Sequence, residues 1–180
     1  MARGLYMGRF QPFHRGHLET IRAIRADEAR EDLIVGVGSA QDSYQWNNPF
    51  TAGERVEMIG RALDEARIGG CMLVPIIDIH RHAEWVAYLE GLLPVFDRIY
   101  TNNPLTRLLF EQSGYTVTDT PLIERDQLEG TRIRARIAEG QDVSGELPPA
   151  VVRYLDQLNA RARLALLRAD RNAPPQSGRP

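Results

Sequence analysis

The chain is 180 residues long, with a formal net charge of −2 and an isoelectric point near 6.1. That is about one domain's length, enough to bury a core without disulfide or metal staples, and its charge balance supplies no overall basic field for nucleic acid. All 22 basic residues are arginine, a bias that genomic base composition explains, and the missing lysine excludes a Walker P-loop, a Schiff base, a lysyl-phosphoramidate intermediate and a lysine general base.

In chain order the pattern alternates strand and helix. "RGLYMG" (3–8) predicts a strand, and "HLETIRAIRADEAR" (17–30) a helix with Leu18, Ile21 and Ile24 on one face. "DLIVGVGSAQ" (32–41) is a β-branched apolar run, as in a strand covered on both faces. "TAGERVEMIGRALDEAR" (51–67) opens with Thr51 and Glu54 in the capping-box relation. Its charged residues Arg55, Glu57 and Arg61 read as a solvated face or a subunit contact. Strands are predicted over 71–77, 97–100 and 115–119, and helices over 83–93, 104–113, 131–140 and 148–169. The final residues, 169–180, read as a disordered tail behind a single domain at 1–168. Cys71 has no partner for an internal disulfide and reads as a small core residue in a reducing compartment. "MARGLYMGRF" is too quickly charged for a signal peptide, and no run approaches the roughly 20 apolar residues of a membrane span. A cytoplasmic location, away from membranes, is expected.

Five strands alternating with helices predict an α/β fold with a doubly wound parallel sheet and a C-terminal helical segment, whose ligand sits at the carboxyl ends of the strands. "GRFQPFHRGH" (8–17) follows the first strand and falls at that place. Gly8 turns the chain off the strand, Pro12 stiffens the loop, and Gly16 leaves room for a bulky group. His17 then stands at a helix start, where free N–H groups favour an anion, with His14 just before it. Two imidazoles there suit a phosphate whose charge grows during reaction, and Arg9 and Arg15 add positive charge. Arg132, Arg134 and Arg136 form a second cluster at a predicted helix start.

Gly8, Phe10, Pro12, His14, Gly16 and His17 match the G-x-F-x-P-x-H-x-G-H signature of the nucleotidylyltransferase superfamily. With "GSAQ" (38–41), "NPFTAGER" (48–55), "NP" (103–104) and "GTRIR" (130–134) in the same order, residues 3–158 resemble the archaeal nicotinamide-nucleotide adenylyltransferases. That resemblance implies a Rossmann-like fold and a magnesium-assisted reaction of ATP with nicotinamide mononucleotide (NMN), giving NAD and pyrophosphate without a covalent intermediate. It implies catalytic roles for His14, His17 and Arg134, with Gly8, Arg9, Phe10, Gly16, Ser39, Thr131 and Arg136 around the ATP phosphates and nucleotide. Trp85 corresponds to an aromatic platform for the nicotinamide ring, with Asn47 and His82 on the same NMN side. Magnesium is implied on the ATP phosphates, with no protein ligands, and the chain is expected to form a homo-oligomer.

Asn47 stands where the family has a basic residue, and His82 where it has asparagine. Asp78, His80 and His82 lack a clear fourth ligand for a metal site. Two other readings remain at this stage: a related enzyme using another acceptor phosphate, such as FMN or phosphopantetheine, and a nucleotide sensor without turnover.

Overall fold

The computed structural model describes residues 3–27, 32–121 and 128–172. Five strands form one sheet in the order β3-β2-β1-β4-β5, with every neighbouring pair parallel. They are β1 (Arg3–Gly8), β2 (Asp32–Val37), β3 (Cys71–Pro75), β4 (Arg98–Tyr100) and β5 (Thr116–Thr118). The chain leaves β1 for β2 and β3 on one side and returns to its other side with β4. The order therefore reverses between β1 and β4, where carboxyl ends splay apart and leave a crevice.

Successive strand residues face opposite layers, and the two cores follow that alternation. Tyr6, Leu33, Val35 and Tyr100 face a layer built from α1 (Arg15–Asp27), α2 (Ala52–Glu65), α5 (Gly130–Glu139), α6 (Pro149–Gln157) and α7 (Ala160–Asn172). Leu5, Ile34 and Ile99 face the other layer, where Val86 and Leu89 of α3 (Trp85–Leu92) and Phe110 of α4 (Pro104–Gln112) cover them. β2 is buried from Leu33 to Val37, as its unbroken apolar run requires.

The capping box at α2 is present: the Thr51 hydroxyl accepts from the Glu54 N–H at 3.1 Å, and Glu54 accepts from the Thr51 N–H at 2.9 Å. Arg163 of α7 then grips the same carboxylate with two bonds, of 2.7 and 2.8 Å. Burial pushes the Glu54 carboxyl up, but these donors outweigh it and hold it below its ordinary value.

Several boundaries differ from the sequence pattern. The expected helix at 148–169 is two helices, broken at Asn159, whose φ is 50°. α7 runs on through Asn172, so residues 169–172 are helical, while 173–180 lie outside the described residues, as do 28–30 of the first expected helix. A 3-10 turn at His82–Glu84 precedes α3. Cys71 is half-buried at the start of the edge strand β3 rather than in the core, and burial raises its thiol pKa. Among the described residues, no helix is long and apolar enough to cross a membrane.

Candidate active site

The crevice opens as three adjoining cavities across the carboxyl ends of the strands. One of about 370 Å³ is lined by Tyr6, His14, Gly16, His17, Thr101 and Asn103. The next, of about 380 Å³, runs past Gly8, Arg9, Gly38, Ser39, Asp78 and Trp85, sharing Tyr100, Thr101 and Asn103 with the first. The third, of about 310 Å³, shares Trp85, Asp78 and Asn103 with the second and adds His80, Arg81 and His82. A separate cavity of about 380 Å³ between α5, α6 and α7 has no imidazole on its wall.

The two histidines meet where α1 begins. The His14 carbonyl accepts from the N–H groups of His17 and Leu18 at 3.0 and 3.2 Å, which opens the helix, and the rings stack with centroids 3.5 Å apart. The His14 N–H donates to His17 Nδ1 at 3.2 Å, so the proton of the neutral His17 ring sits on Nε2. His14 Nδ1 is buried without a partner among the described residues. Phe10 and Phe13 back the His17 ring at 4.9 and 5.5 Å. Burial pushes the His14 pKa down to about 4, and burial with the neighbouring His14 charge pushes His17 well below its ordinary value. The free pair is therefore neutral near pH 7. A Cβ at Gly16 would come within 3.2 Å of the His14 ring and of Leu128, tight enough that the ring would have to give by a few tenths of an ångström.

Arg134 reaches the same loop from α5. Its Nη1 donates to the Gln11 carbonyl at 2.8 Å and its Nη2 to Thr131 Oγ1 at 3.3 Å, while Nε is buried without a partner among the described residues. Burial first, and then the nearby Arg9 charge, lower its pKa to about 10. Even so it remains a cation near neutral pH.

The other expected site residues divide. Arg9 is exposed on the wall of the second cavity, Trp85 is half-buried there, and Asn47, His82 and Thr131 are exposed. Ser39 is buried, with its hydroxyl donating to Asp78 Oδ2 at 2.7 Å. Phe10 is only 1% exposed, a core ring behind His17 rather than a surface for nucleotide. Arg136 does not join Arg134 beside the histidine loop: its guanidinium is taken by Glu146, Gln141 and the Asp142 carbonyl, which fix the following turn. Arg15 likewise donates to the carbonyls of Leu147 and Ser144. Among the described residues, no group of three or more His, Cys, Asp and Glu side chains is placed to hold a metal ion.

Three contributors escaped the sequence reading. Gln11 makes a reciprocal pair with the Phe50 main chain, at 3.0 and 3.1 Å, tying the first loop to the second. Trp46 is buried beneath the Arg134 guanidinium, 5.9 Å from its ring centre. Arg55, expected on a solvated face, is completely buried. The signal was there: Arg55, Met58, Ile59, Ala62 and Leu63 form one helical stripe, and the arginine falls on its apolar side.

The model of the cytidylyltransferase-like family matches residues 5–136. A nicotinamide-nucleotide adenylyltransferase of Picrophilus torridus is 42% identical over 162 residues, covering 90% of this chain and 95% of that protein. One of Thermoplasma acidophilum is 42% identical over 165 residues, covering 92% and 91%. Among solved structures, a bifunctional NMN adenylyltransferase/ADP ribose pyrophosphatase of Francisella tularensis, complexed with AMP and an Mn ion, superposes with a TM-score of 0.73 at 17% identity. It covers 94% of this chain and 53% of that one, and at that identity it speaks to the fold alone. By sequence, then, the chain belongs to the archaeal-type nicotinamide-nucleotide adenylyltransferases, within the cytidylyltransferase-like nucleotidylyltransferases.

Proposed function

We infer that the protein is an adenylyltransferase that joins the AMP part of ATP to the 5′-phosphate of NMN, forming NAD and releasing pyrophosphate. The observation that carries this is the conjunction of 42% identity along nine tenths of the chain with the stacked His14–His17 pair at the mouth of the sheet crevice. The acceptor phosphate attacks the α-phosphorus of ATP in line. His17 Nε2–H and the His14 ring donate to oxygens on which charge develops, and the α1 start adds its dipole. Arg134, held by Gln11 and Thr131, balances the departing pyrophosphate with Arg9 beside it. Trp85, half-buried between the second and third cavities, offers a face for the pyridine ring, with His82 on the wall of the third; the exposed Asn47 is assigned to the NMN side from the family resemblance alone.

Magnesium is the divalent ion we assign to the reaction. The crevice near the histidines is lined by imidazole, guanidinium and amide groups, which suit phosphate oxygens, and its carboxylate, Asp78 on the wall of the second cavity, already accepts from the Ser39 hydroxyl. The ion would arrive on the ATP phosphates, where it would supply charge neutralisation. Exposed Val95, Leu105 and Leu108 support self-association into a homo-oligomer, and we place the protein in the cytoplasm.

The test is pyrophosphate release from ATP against a panel of acceptor phosphates: NMN, FMN and phosphopantetheine. Turnover with NMN at least tenfold above the others, an order-of-magnitude criterion for roughly 1.4 kcal/mol of discrimination, is expected. Preference for another acceptor would make Asn47 and His82 marks of a different substrate, and binding without turnover would make the protein a sensor.

A further inference from the structure

The Arg55 guanidinium lies under the loops that follow β1 and β2, and among the described residues it donates only to main-chain carbonyls. Nη1 bonds Arg9 O at 2.9 Å and Gly38 O at 2.6 Å, Nη2 bonds Ser39 O at 3.0 Å, and Nε bonds Thr51 O at 3.2 Å. One rigid fork thus fixes peptides from two separate loops, which a lysine's single ammonium cannot copy.

The orientation of those peptides matters more than the bracing. In a trans peptide the C=O and the following N–H point in opposite directions, and Gln11–Pro12 is the cis bond recorded among the described residues. With the Arg9 and Gly38 carbonyls turned onto Arg55, the N–H groups of Phe10 and Ser39 are turned away from it. Neither N–H has an acceptor among the described residues. Both residues are also left-handed, with φ of 52° at Phe10 and 48° at Ser39, a conformation unfavourable for a residue with a side chain. Two strained residues with two unspent donors therefore flank Gly8, Arg9 and Gly38 on the wall of the second cavity. The Ser39 hydroxyl, already given to Asp78, cannot stand in for its N–H.

We propose that Arg55 is a positioning residue, which turns the Phe10 and Ser39 N–H groups outward as paired donors for a nucleotide phosphate in the crevice. Backbone N–H groups in left-handed turns form such anion cradles. The inference rests on reading the crevice as the site of nucleotidyl transfer. The recipient is a phosphate oxygen of either the adenylate or the acceptor mononucleotide.

The amide resonances of Phe10 and Ser39 in the ¹⁵N-labelled wild-type protein test this directly, titrated separately with AMP and with NMN. Both protons should shift downfield with at least one of the two ligands, and the responding ligand identifies the phosphate. Failure of both resonances to move with either ligand overturns the proposal, whether or not any variant folds. R55K, assayed well below its melting temperature, should lose these shifts and at least about tenfold in kcat, with a smaller change in the KM for ATP. Guanidinium ion added to R55A should restore the ligand-induced shifts of both amides together with part of the lost kcat. An R55K enzyme within twofold of wild-type kcat, its shifts intact, also overturns it. Wild-type NAD formation is scored separately: if the amides respond but no NAD forms, the reaction assignment fails and the cradle stands.

Discussion

The imidazoles of His14 and His17 lie stacked, 20° from parallel, and the His14 main-chain N–H holds His17 Nδ1 at 3.2 Å. This relationship fixes a neutral tautomer with Nε2–H free to donate. Replacing His17 by alanine should therefore lower kcat by roughly a hundredfold, about 3 kcal/mol of transition-state stabilisation, while moving the KM for ATP far less. Steady-state kinetics on folded protein check this, and retention of more than half the wild-type kcat would sink the assignment.

The same pair sets a pH dependence. His14 titrates near 6.5 in the unfolded chain and at about 4 in the fold, because burial disfavours its charged form. Between those values the unfolded chain binds the extra proton, so the stability of the free protein is full above pH 6.5 and declines as pH falls towards 4. The loss approaches about 3 kcal/mol. ATP bound beside the rings would add negative charge and should raise both pKa values, so binding near pH 6 should take up protons. Calorimetry in buffers of different ionisation enthalpy measures that uptake. Proton release, or melting temperatures flat between pH 7 and 5, would contradict neutral stacked rings.

Much of this was legible locally. The glycine, proline and histidine spacing of 8–17 marked the loop that follows β1 and carries His14 and His17 to the crevice, and Thr51 with Glu54 marked the start of α2. What the sequence concealed are contacts spanning distant segments. Arg134 reaches Gln11 across 123 positions, and Gln11 reaches Phe50 across 39. Arg136 has the same residue type and neighbourhood as Arg134, yet it falls on a different side of the helix and meets Glu146 instead. Arg55 was misread because its charge outweighed its position on the apolar stripe.

Trp85 is half-buried against the α3–α4 core and opens onto the second and third cavities. Trp85→Ala should raise the KM for NMN several-fold, about 1 kcal/mol or more for a lost aromatic face, and leave the KM for ATP nearly unchanged. A collapsed melting temperature with normal NMN binding by the folded fraction would make the ring a core residue only.

Asn47 is exposed on the loop before Pro49. Asn47→Arg should tighten NMN binding or leave it unchanged, because a guanidinium there would add positive charge for an acceptor phosphate bound on that side. Titration calorimetry decides, and clearly weaker NMN binding would mean that the asparagine is matched to another acceptor.

Direct transfer of AMP from ATP to NMN is a single displacement at the α-phosphorus. With no lysine in the chain, a histidyl adenylate is the covalent route that competes with it. The most direct measurement uses ATP made chiral at the α-phosphorus, with the configuration of the dinucleotide product read by phosphorus NMR. One displacement inverts that centre, and two restore it. NAD and pyrophosphate should form in equal amounts, with inverted configuration and no adenylate left on the protein. Absence of NAD would contradict the reaction itself, and retention, with an acid-labile adenylylated histidine that forms at the turnover rate, would contradict direct attack.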